Sequence, residues 1–138
     1  MRLVVDTNLF VSAAINSRSR EQLDRVLPNP ALSILVDTTL LAELDEVIHR
    51  PKFKRYLTDT QADAFLDLLF ERCLFVHTTS TVKASPDPKD DFLLALCLDN
   101  QADYLLTGNK VDLLALRQFG ITQIITLAEF LRAYSALQ

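Results

Sequence analysis

Short apolar runs rich in β-branched residues alternate with longer amphipathic stretches along the whole chain. The apolar runs predict five strands, at residues 3–5, 33–36, 74–77, 104–106 and 123–126. The stretches between them have helical spacing and predict seven helices, at residues 8–16, 21–27, 39–50, 61–72, 89–100, 112–119 and 128–137. Such alternation is typical of a three-layer α/β/α architecture with a central, mainly parallel sheet. We therefore expect a single α/β domain spanning residues 1–138.

The helix predicted at residues 89–100 differs from the others. Its segment 92–98 is apolar on every face, so the helix should lie buried between the sheet and its neighbours. Asp87 and Pro88 in front of it have the pattern of an N-cap followed by proline at the first helical position. Asp91 directly precedes the apolar segment and is therefore expected close to the core.

Acidic and polar side chains follow two of the predicted strands. Asp6 comes directly after the first strand, whereas Thr107, Asn109 and Asp112 follow the fourth. Glu43 flanks the apolar stripe of its own helix, so it can face the edge of a crevice. Ligands of open parallel sheets bind beyond the carboxyl ends of the strands, where strand order reverses. If the first and fourth strands are neighbours at that point, these side chains face one crevice.

Carboxylates gathered in one crevice predict a bound divalent cation. Two like charges about 4 Å apart cost roughly 4 kcal/mol at an effective dielectric of about 20. Hard oxygen ligands suit Mg²⁺ or Mn²⁺, and such an ion supports metal-assisted cleavage of a phosphodiester. Each acid taken alone also has a plain structural explanation, as a helix cap or a solvated helix residue. The set of acids, and no single member, indicates the site.

Composition excludes several other classes. With 14 basic and 18 acidic residues the formal charge is −4, which is not the basic balance of a protein that holds nucleic acid by charge alone. Only two glycines occur, and neither a P-loop nor a dinucleotide-binding motif is present. The two histidines stand alone, which argues against a zinc hydrolase and against histidine acid–base chemistry. The absence of a long apolar run or a signal segment predicts a cytoplasmic protein that does not bind membranes.

Three segments resemble, in order and spacing, the motif blocks of the PIN-domain family, in particular the VapC-like ribonuclease toxins of toxin–antitoxin systems: VVDTNLFVSA, TTLLAELDEVIHRPKF and DDFLLALCLDNQADYLLTGNKVDLL. The resemblance extends through nearly the full chain. It implies a PIN-like fold and four catalytic carboxylates, at Asp6, Glu43, Asp91 and Asp112. It also implies that Asp6, Asp91 and Asp112 are the ligands of Mg²⁺ or Mn²⁺.

The resemblance implies supporting roles for four further residues: Asn8, Thr107, Asn109 and Asp90. Many close relatives carry an aspartate where this chain has Asn109, so either Asn109 or Asp112 faces the metal. The third block contains adjacent acids. The apolar pattern that follows favours Asp91, and Asp90 remains the alternative.

The resemblance further implies a metal-dependent endoribonuclease that acts on RNA, binds a small antitoxin protein and forms a homodimer. A basic segment, HRPKFKRY, has two interpretations that the sequence leaves open. Its cations could follow a single-stranded RNA backbone, or they could simply complement the dipole at a helix end. The cations are Arg50, Lys52, Lys54 and Arg55.

Two functions from other classes also remain at this stage. One is a non-catalytic PIN-like module that binds RNA or a protein partner. The other is an acidic α/β domain of the receiver or phosphatase type, although the chain has no Asp-x-Asp element after its first strand. Titration with a divalent metal and an assay with a phosphoester would separate these alternatives from a nuclease.

Overall fold

Strands and helices alternate from the first residues onward, as the apolar pattern predicts. The computed structural model describes residues 1–108 and 111–137. Its elements are, in chain order, β1 (Arg2–Val5), α1 (Thr7–Ile15), α2 (Ser17–Asp24), β2 (Ser33–Val36), α3 (Thr38–Ile48), α4 (Asp59–Arg72), β3 (Leu74–Phe75), α5 (Asp91–Asn100), β4 (Tyr104–Thr107), α6 (Val111–Leu116), β5 (Gln118–Phe119), β6 (Thr122–Thr126) and α7 (Leu127–Leu137). Short 3₁₀ turns at Pro51–Phe53 and Pro88–Asp90 precede α4 and α5.

The strands within the described residues form one sheet in the order β3-β2-β1-β4-β6-β5. All neighbours are parallel except β5 and β6, which pair antiparallel. The chain adds β2 and β3 on one side of β1 and then returns to place β4 on the other side. Strand order therefore reverses between β1 and β4, and the first and fourth strands are neighbours, which is the condition under which the side chains that follow them share one crevice.

The core contains the central strands and α5. Val4, Leu35 and Leu105 are fully buried at the middle of β1, β2 and β4. Consecutive strand residues are buried although they point to opposite faces, so helices cover both faces of the sheet. The segment 93–97 of α5 is buried throughout, as its uniformly apolar sequence predicts. Each such leucine contributes roughly 1.5–3 kcal/mol by leaving water.

The edge of the sheet near the C-terminus corrects the sequence prediction. A helix was expected over residues 112–119, but α6 ends at Leu116 and a sixth, short strand follows at Gln118–Phe119. Arg117 and Gly120 adopt positive φ angles of 61° and 58°, which turn the chain into a hairpin with β6. Gly120 adopts that angle at no steric cost. Within residues 1–108 and 111–137, the five predicted strands are thus six.

Other boundaries also differ from the prediction, most clearly those of the second helix and the third strand. The second helix begins at Ser17 instead of residue 21, because the Asn16 side chain accepts hydrogen bonds from the backbone N–H groups of Arg18 and Ser19. The third strand is shorter than the predicted 74–77 and comprises only Leu74–Phe75. Within the part of the chain that the structure describes, no helix has the length and apolar character that crossing a membrane requires.

Candidate active site

Asp6 lies at the point where β1 ends and α1 begins, and it is 1% exposed. Its Oδ1 accepts the backbone N–H of Asn8 at 2.6 Å, which caps α1. Its Oδ2 accepts the hydroxyl of Thr107 at 2.6 Å. The backbone N–H of Asp6 donates to the carbonyl of Leu106 at 3.0 Å. The carboxylate is therefore held between the carboxyl ends of two neighbouring strands.

Glu43 approaches the same region from α3. Leu40, Leu41 and Leu44 bury one side of that helix, which leaves Glu43 half-buried beside it. Thr7, the first residue of α1, donates its hydroxyl to Glu43 Oε2 at 2.7 Å. This hydrogen bond joins α3 to the residue that follows Asp6. Sequence reasoning assigned Thr7 no such role, and its only signal was its position next to Asp6.

The adjacent acids Asp90 and Asp91 point to different surroundings. The Asp87 side chain accepts the backbone N–H of Lys89 and starts the 3₁₀ turn Pro88–Asp90, so the helix proper begins one residue after Asp90. Asp90 is 2% exposed. Asp91 is half-buried, and its Oδ1 accepts the backbone N–H groups of Ala84 and Ser85 at 3.2 and 2.8 Å. Asp91 thus fastens the preceding loop.

A cavity of about 250 Å³ brings together the carboxylates of Asp6, Glu43 and Asp90. These acids come from the end of β1, from α3 and from the turn before α5. Cations and aromatic rings complete the same cavity. Its remaining lining residues are Thr7, Asn8, Val11, Val47, Arg50, Lys52, Phe53, Lys89, Phe92 and Leu93.

The structure therefore does not bring together all of the acids that the sequence singled out. Asp91, which the apolar pattern favoured, does not line the cavity, and the alternative Asp90 does. The 3₁₀ turn explains the difference because it changes the direction of the side chains just before the helix. Asp112 is exposed in the first turn of α6 and is also absent from the lining. Asn109 lies outside the described residues.

The basic residues divide into two groups. Arg50 and Lys52 line the cavity. Lys54 instead pairs with Asp59 at 3.1 Å, and the Arg55 guanidinium lies over the Tyr56 ring. The sequence did not single out Lys89, which also lines the cavity because it directly precedes Asp90 in the turn.

Arg50 is oriented by a residue of the preceding helix, α3. Its Nε and Nη2 donate to the two carboxylate oxygens of Glu46 at 3.0 and 2.7 Å. The hydrogen bond that Arg50 donates to Glu46 raises the pKa of Arg50 above its usual value, and the charge of Glu43 adds to this effect. Arg50 is therefore a fixed positive charge at the edge of an acidic cavity.

The donor set suits a hard cation. Within the described residues, no group of three or more His, Cys, Asp or Glu side chains is arranged closely enough to hold a metal ion by itself. Mg²⁺ does not require such a cage, because it keeps several waters and is commonly bound through one or two carboxylates. Asp6 and Asp90 are both buried residues of the cavity lining, and their carboxylate oxygens are hard ligands. Oxygen-only acids in one cavity thus fit Mg²⁺ or Mn²⁺.

Fold and site together define an α/β protein of three layers with an acidic cavity at the switch point of its sheet. A family model described as the PIN domain matches residues 2–111, which is most of the chain. The chain belongs to the PIN-domain family. PIN domains are generally nucleases, and those nucleases generally use divalent metals.

A solved structure has the same fold. It is the crystal structure of VapBC2 from Rickettsia felis bound to a DNA fragment from their promoter. The match has a TM-score of 0.60 and 16% sequence identity, and it covers 91% of this chain and 98% of that chain. A search of the curated proteins found no match.

Proposed function

We propose that the chain is a Mg²⁺- or Mn²⁺-dependent endoribonuclease that hydrolyses phosphodiester bonds of RNA. The observation that carries the proposal is the shared cavity of Asp6, Glu43 and Asp90 at the switch point. PIN-family membership supports nuclease chemistry. The proposal takes Asp90 as the third acid in place of Asp91, because only Asp90 faces the cavity.

In this proposal the buried carboxylates of Asp6 and Asp90 hold the divalent ion. When bound, the ion would activate a water molecule and neutralise charge on the phosphate. Thr107 and the Asn8 backbone N–H fix the rotamer of Asp6, so that no side-chain freedom remains to be lost when the ion binds. Thr7 does the same for Glu43, whose other carboxylate oxygen would orient the attacking water. A role for Asp112 or Asn109 as the fourth ligand stays a prediction.

The cations at the edge of the cavity are the basis for proposing RNA as the substrate. Arg50, Lys52 and Lys89 would contact phosphates that flank the scissile one, since RNA binding by an acidic protein must rely on local charge. The rings of Phe53 and Phe92 offer surfaces on which an unpaired base can stack. This arrangement favours single-stranded RNA over a duplex. Lys54 and Arg55 do not line the cavity and are left out of the proposed interface.

We further infer that the chain acts as the toxin of a toxin–antitoxin pair and forms a homodimer. The support is the fold that it shares with VapBC2 together with the motif blocks described above. Co-expression with the protein encoded beside it would test the pairing, and light scattering of the purified chain would measure its oligomeric state. A chain that is a monomer in solution and does not inhibit cell growth would contradict both the homodimer and the toxin role.

An RNA cleavage assay tests the nuclease proposal directly. The purified chain is incubated with unstructured and hairpin RNA, with Mn²⁺, with Mg²⁺ and with a chelator. We expect cuts in the unstructured RNA that require the metal. Asp6→Asn should abolish both cleavage and Mn²⁺ binding measured by calorimetry.

Asp37→Asn is the matched control. Asp37 is also a buried N-cap directly after a strand, and it accepts the backbone N–H of Leu40 at 2.8 Å, but it does not line the cavity. The Asp37→Asn variant should be less stable than the unaltered chain and should still cleave RNA. Full metal-dependent cleavage by Asp6→Asn would overturn the proposal. RNA that is bound but never cut would favour the non-catalytic module instead.

A further inference from the structure

A cavity between α1, α2 and α4 has no part in the cleavage site described above. It has a volume of about 340 Å³, and we call it the α1–α4 pocket. Its apolar lining includes Leu57, Phe65 and Leu68, and its polar lining residues are Arg20, Tyr56 and Gln61. No Asp or Glu occurs among the described residues that line it. The pocket therefore differs from the acidic cavity in the ligand that it suits.

The two cavities share two walls. Val11 lines the acidic cavity, and Ala14, about one turn further along α1, lines the α1–α4 pocket. Phe53 lines the acidic cavity and Tyr56 lines the pocket, and the backbone N–H of Tyr56 donates to the Phe53 carbonyl at 2.9 Å. Three residues of α1 span roughly 4.5 Å, which is comparable with the rise of about 3.4 Å per nucleotide of a stacked strand. A strand held in the acidic cavity can therefore reach the pocket within a few nucleotides.

Gln61 presents hydrogen-bond donors to the pocket. Its Oε1 accepts the backbone N–H of Thr58 at 2.9 Å, as one half of the capping box that begins α4. That bond fixes the orientation of the amide, because only its oxygen can accept. The Nε2 group has no acceptor within the part of the chain that the structure describes. Its two N–H groups can therefore bind a ligand.

Arg20 presents further donors. Its Nε donates to Asp24 Oδ1 at 3.0 Å, and its guanidinium carbon lies 5.5 Å from the ring centroid of the buried Phe65. Among residues 1–108 and 111–137, no acceptor is bound to its two Nη groups. The pocket thus offers donors from two oriented side chains, and the one acceptor of the pair, Gln61 Oε1, is already engaged.

Tyr56 offers a surface for stacking. Its exposed fraction is 57%, and the guanidinium carbon of Arg55 lies over its ring, 5.2 Å from the centroid. No aromatic ring among the described residues packs on Tyr56. An unpaired base can therefore stack on the face that Arg55 does not cover.

We propose that the α1–α4 pocket binds an unpaired guanine of the RNA substrate, a few nucleotides from the cut. Guanine presents two acceptors, O6 and N7, on one edge, and these match the donors of Arg20 and Gln61. Adenine presents a donor at N6 beside N7, and cytosine presents a donor at N4, so each would leave a donor facing a donor. The ring of Tyr56 stacks on the bound base. The choice of RNA as the ligand rests on the proposed nuclease function.

Binding of short RNAs in the presence of a chelator tests the inference without cleavage. The probes are labelled RNAs of about seven nucleotides, all uridine except for one central guanosine, adenosine, inosine or 7-deazaguanosine. Fluorescence anisotropy measures their dissociation constants for the full chain. We expect the guanosine RNA to bind about tenfold more tightly than the adenosine RNA, as one bidentate base contact does. Inosine keeps O6 and N7 and should bind like guanosine, whereas 7-deazaguanosine lacks the N7 acceptor and should bind like adenosine.

Gln61→Glu tests the source of the preference. The capping box accepts Glu as well as Gln at this position, so α4 keeps its start. A carboxylate oxygen then faces the base in place of the donors, and the preference for guanosine should fall from about tenfold to within about twofold. Gln101→Glu is the matched control, because Gln101 is exposed, lines neither cavity and undergoes the same change of charge. It should keep the preference.

Tyr56 variants test the stacking. Tyr56→Ser should weaken binding of the guanosine RNA by about fivefold or more, as loss of one base–aromatic stack does. Tyr56→Phe keeps the ring and should leave binding within about twofold. Equal weakening by the two variants would contradict a stacking role.

Three results of the binding experiment would overturn the inference. They are equal affinities for the guanosine and adenosine RNAs, equal effects of Gln61→Glu and Gln101→Glu, and binding of GMP alone as tight as that of the RNA, which would assign the pocket to a free nucleotide. With Mn²⁺ added, cuts in an unstructured RNA should lie at one fixed distance from a guanosine. Cuts without relation to guanosine would overturn the guanine site and leave the nuclease proposal standing. Guanosine-selective binding without any cleavage would leave the guanine site standing and overturn the nuclease proposal.

Discussion

Thr107 donates its hydroxyl to Asp6 at 2.6 Å, so the end of β4 fixes a carboxylate at the end of β1, 101 positions away along the chain. Both side chains are buried. The bond exists because β1 and β4 are parallel neighbours whose carboxyl ends reach the same edge of the sheet. The switch point of the fold and the anchor of the candidate active site are therefore the same contact.

Thr107→Val tests how much this contact stabilises the fold. Valine has nearly the same shape but no hydroxyl, so it removes one donor from a buried carboxylate. We expect the free energy of unfolding, measured with urea, to fall by about 1.5–3 kcal/mol, which is typical of hydrogen bonds to charged groups.

Thr122→Val is the control for that experiment. Thr122 is also buried and donates to the neutral carbonyl of Ala102 at 2.7 Å. Its loss should cost less, about 0.5–1.5 kcal/mol. Equal losses of unfolding free energy in the two variants would show that the hydrogen bond from Thr107 to Asp6 is no stronger than a hydrogen bond to a neutral carbonyl.

Substitutions of the neighbouring acids Asp90 and Asp91 should separate an effect on catalysis from an effect on stability. Asp90→Asn should remove Mn²⁺ binding and RNA cleavage while the chain stays folded, because Asp90 faces the cavity. Asp91→Asn should keep cleavage and lose about 1 kcal/mol of stability, because its carboxylate holds two backbone N–H groups of the preceding loop. Calorimetry, cleavage and urea unfolding of both variants provide the comparison. An inactive Asp91→Asn beside an active Asp90→Asn would reverse the assignment.

Sequence alone predicted the larger features correctly for identifiable reasons. The alternation of apolar and amphipathic runs determined the α/β class. The uniformly apolar α5 could only be buried. These features depend on burial and periodicity, which a single sequence displays.

The features that the sequence did not predict depend on local backbone geometry or on tertiary packing. Arg117 ends α6 with a positive φ angle, although a leucine-rich helical pattern continues toward that residue. The 3₁₀ turn at Pro88–Asp90 places Asp90, and not Asp91, in the lining of the cavity, and an apolar pattern that fits both registers cannot show this. The bond between Thr7 and Glu43 depends on tertiary packing of α1 against α3.

Asp99 predicts a loss of stability in acid. Its carboxylate accepts the Ser80 hydroxyl and the backbone N–H groups of Ser80 and Thr79. These hydrogen bonds, that of the Ser80 side chain foremost, lower the pKa of Asp99 to about 2. A lowered pKa contributes stability that is present above the ordinary value near 3.8 and is lost as the pH falls toward 2. Urea unfolding should therefore show a difference between the unaltered chain and Asp99→Asn above about pH 4 that shrinks toward pH 2. A constant difference would contradict this account.

The contacts of His49 predict the opposite pH dependence near neutrality, where stability should fall as the pH rises. Its Nδ1 lies 2.7 Å from the Asp45 carbonyl oxygen and its Nε2 lies 2.9 Å from Asp63 Oδ1, so both ring nitrogens face acceptors. A neutral imidazole can donate from only one of them. The hydrogen bond to the Asp45 carbonyl, followed by that to Asp63, therefore raises the pKa of His49 above its ordinary 6.5.

A raised pKa means that the folded state binds the proton more tightly than the unfolded state. The stability from this contact is complete below about pH 6.5 and declines as the pH rises through the folded value. Urea unfolding between about pH 6 and pH 9 should show this decline in the unaltered chain and not in His49→Gln. Asp63→Asn should lower the pKa of the ring, measured by NMR titration. His49 connects the end of α3 to α4. If the unfolding free energies of the unaltered chain and of His49→Gln depended on pH in the same way, the charge of His49 would not stabilise this contact.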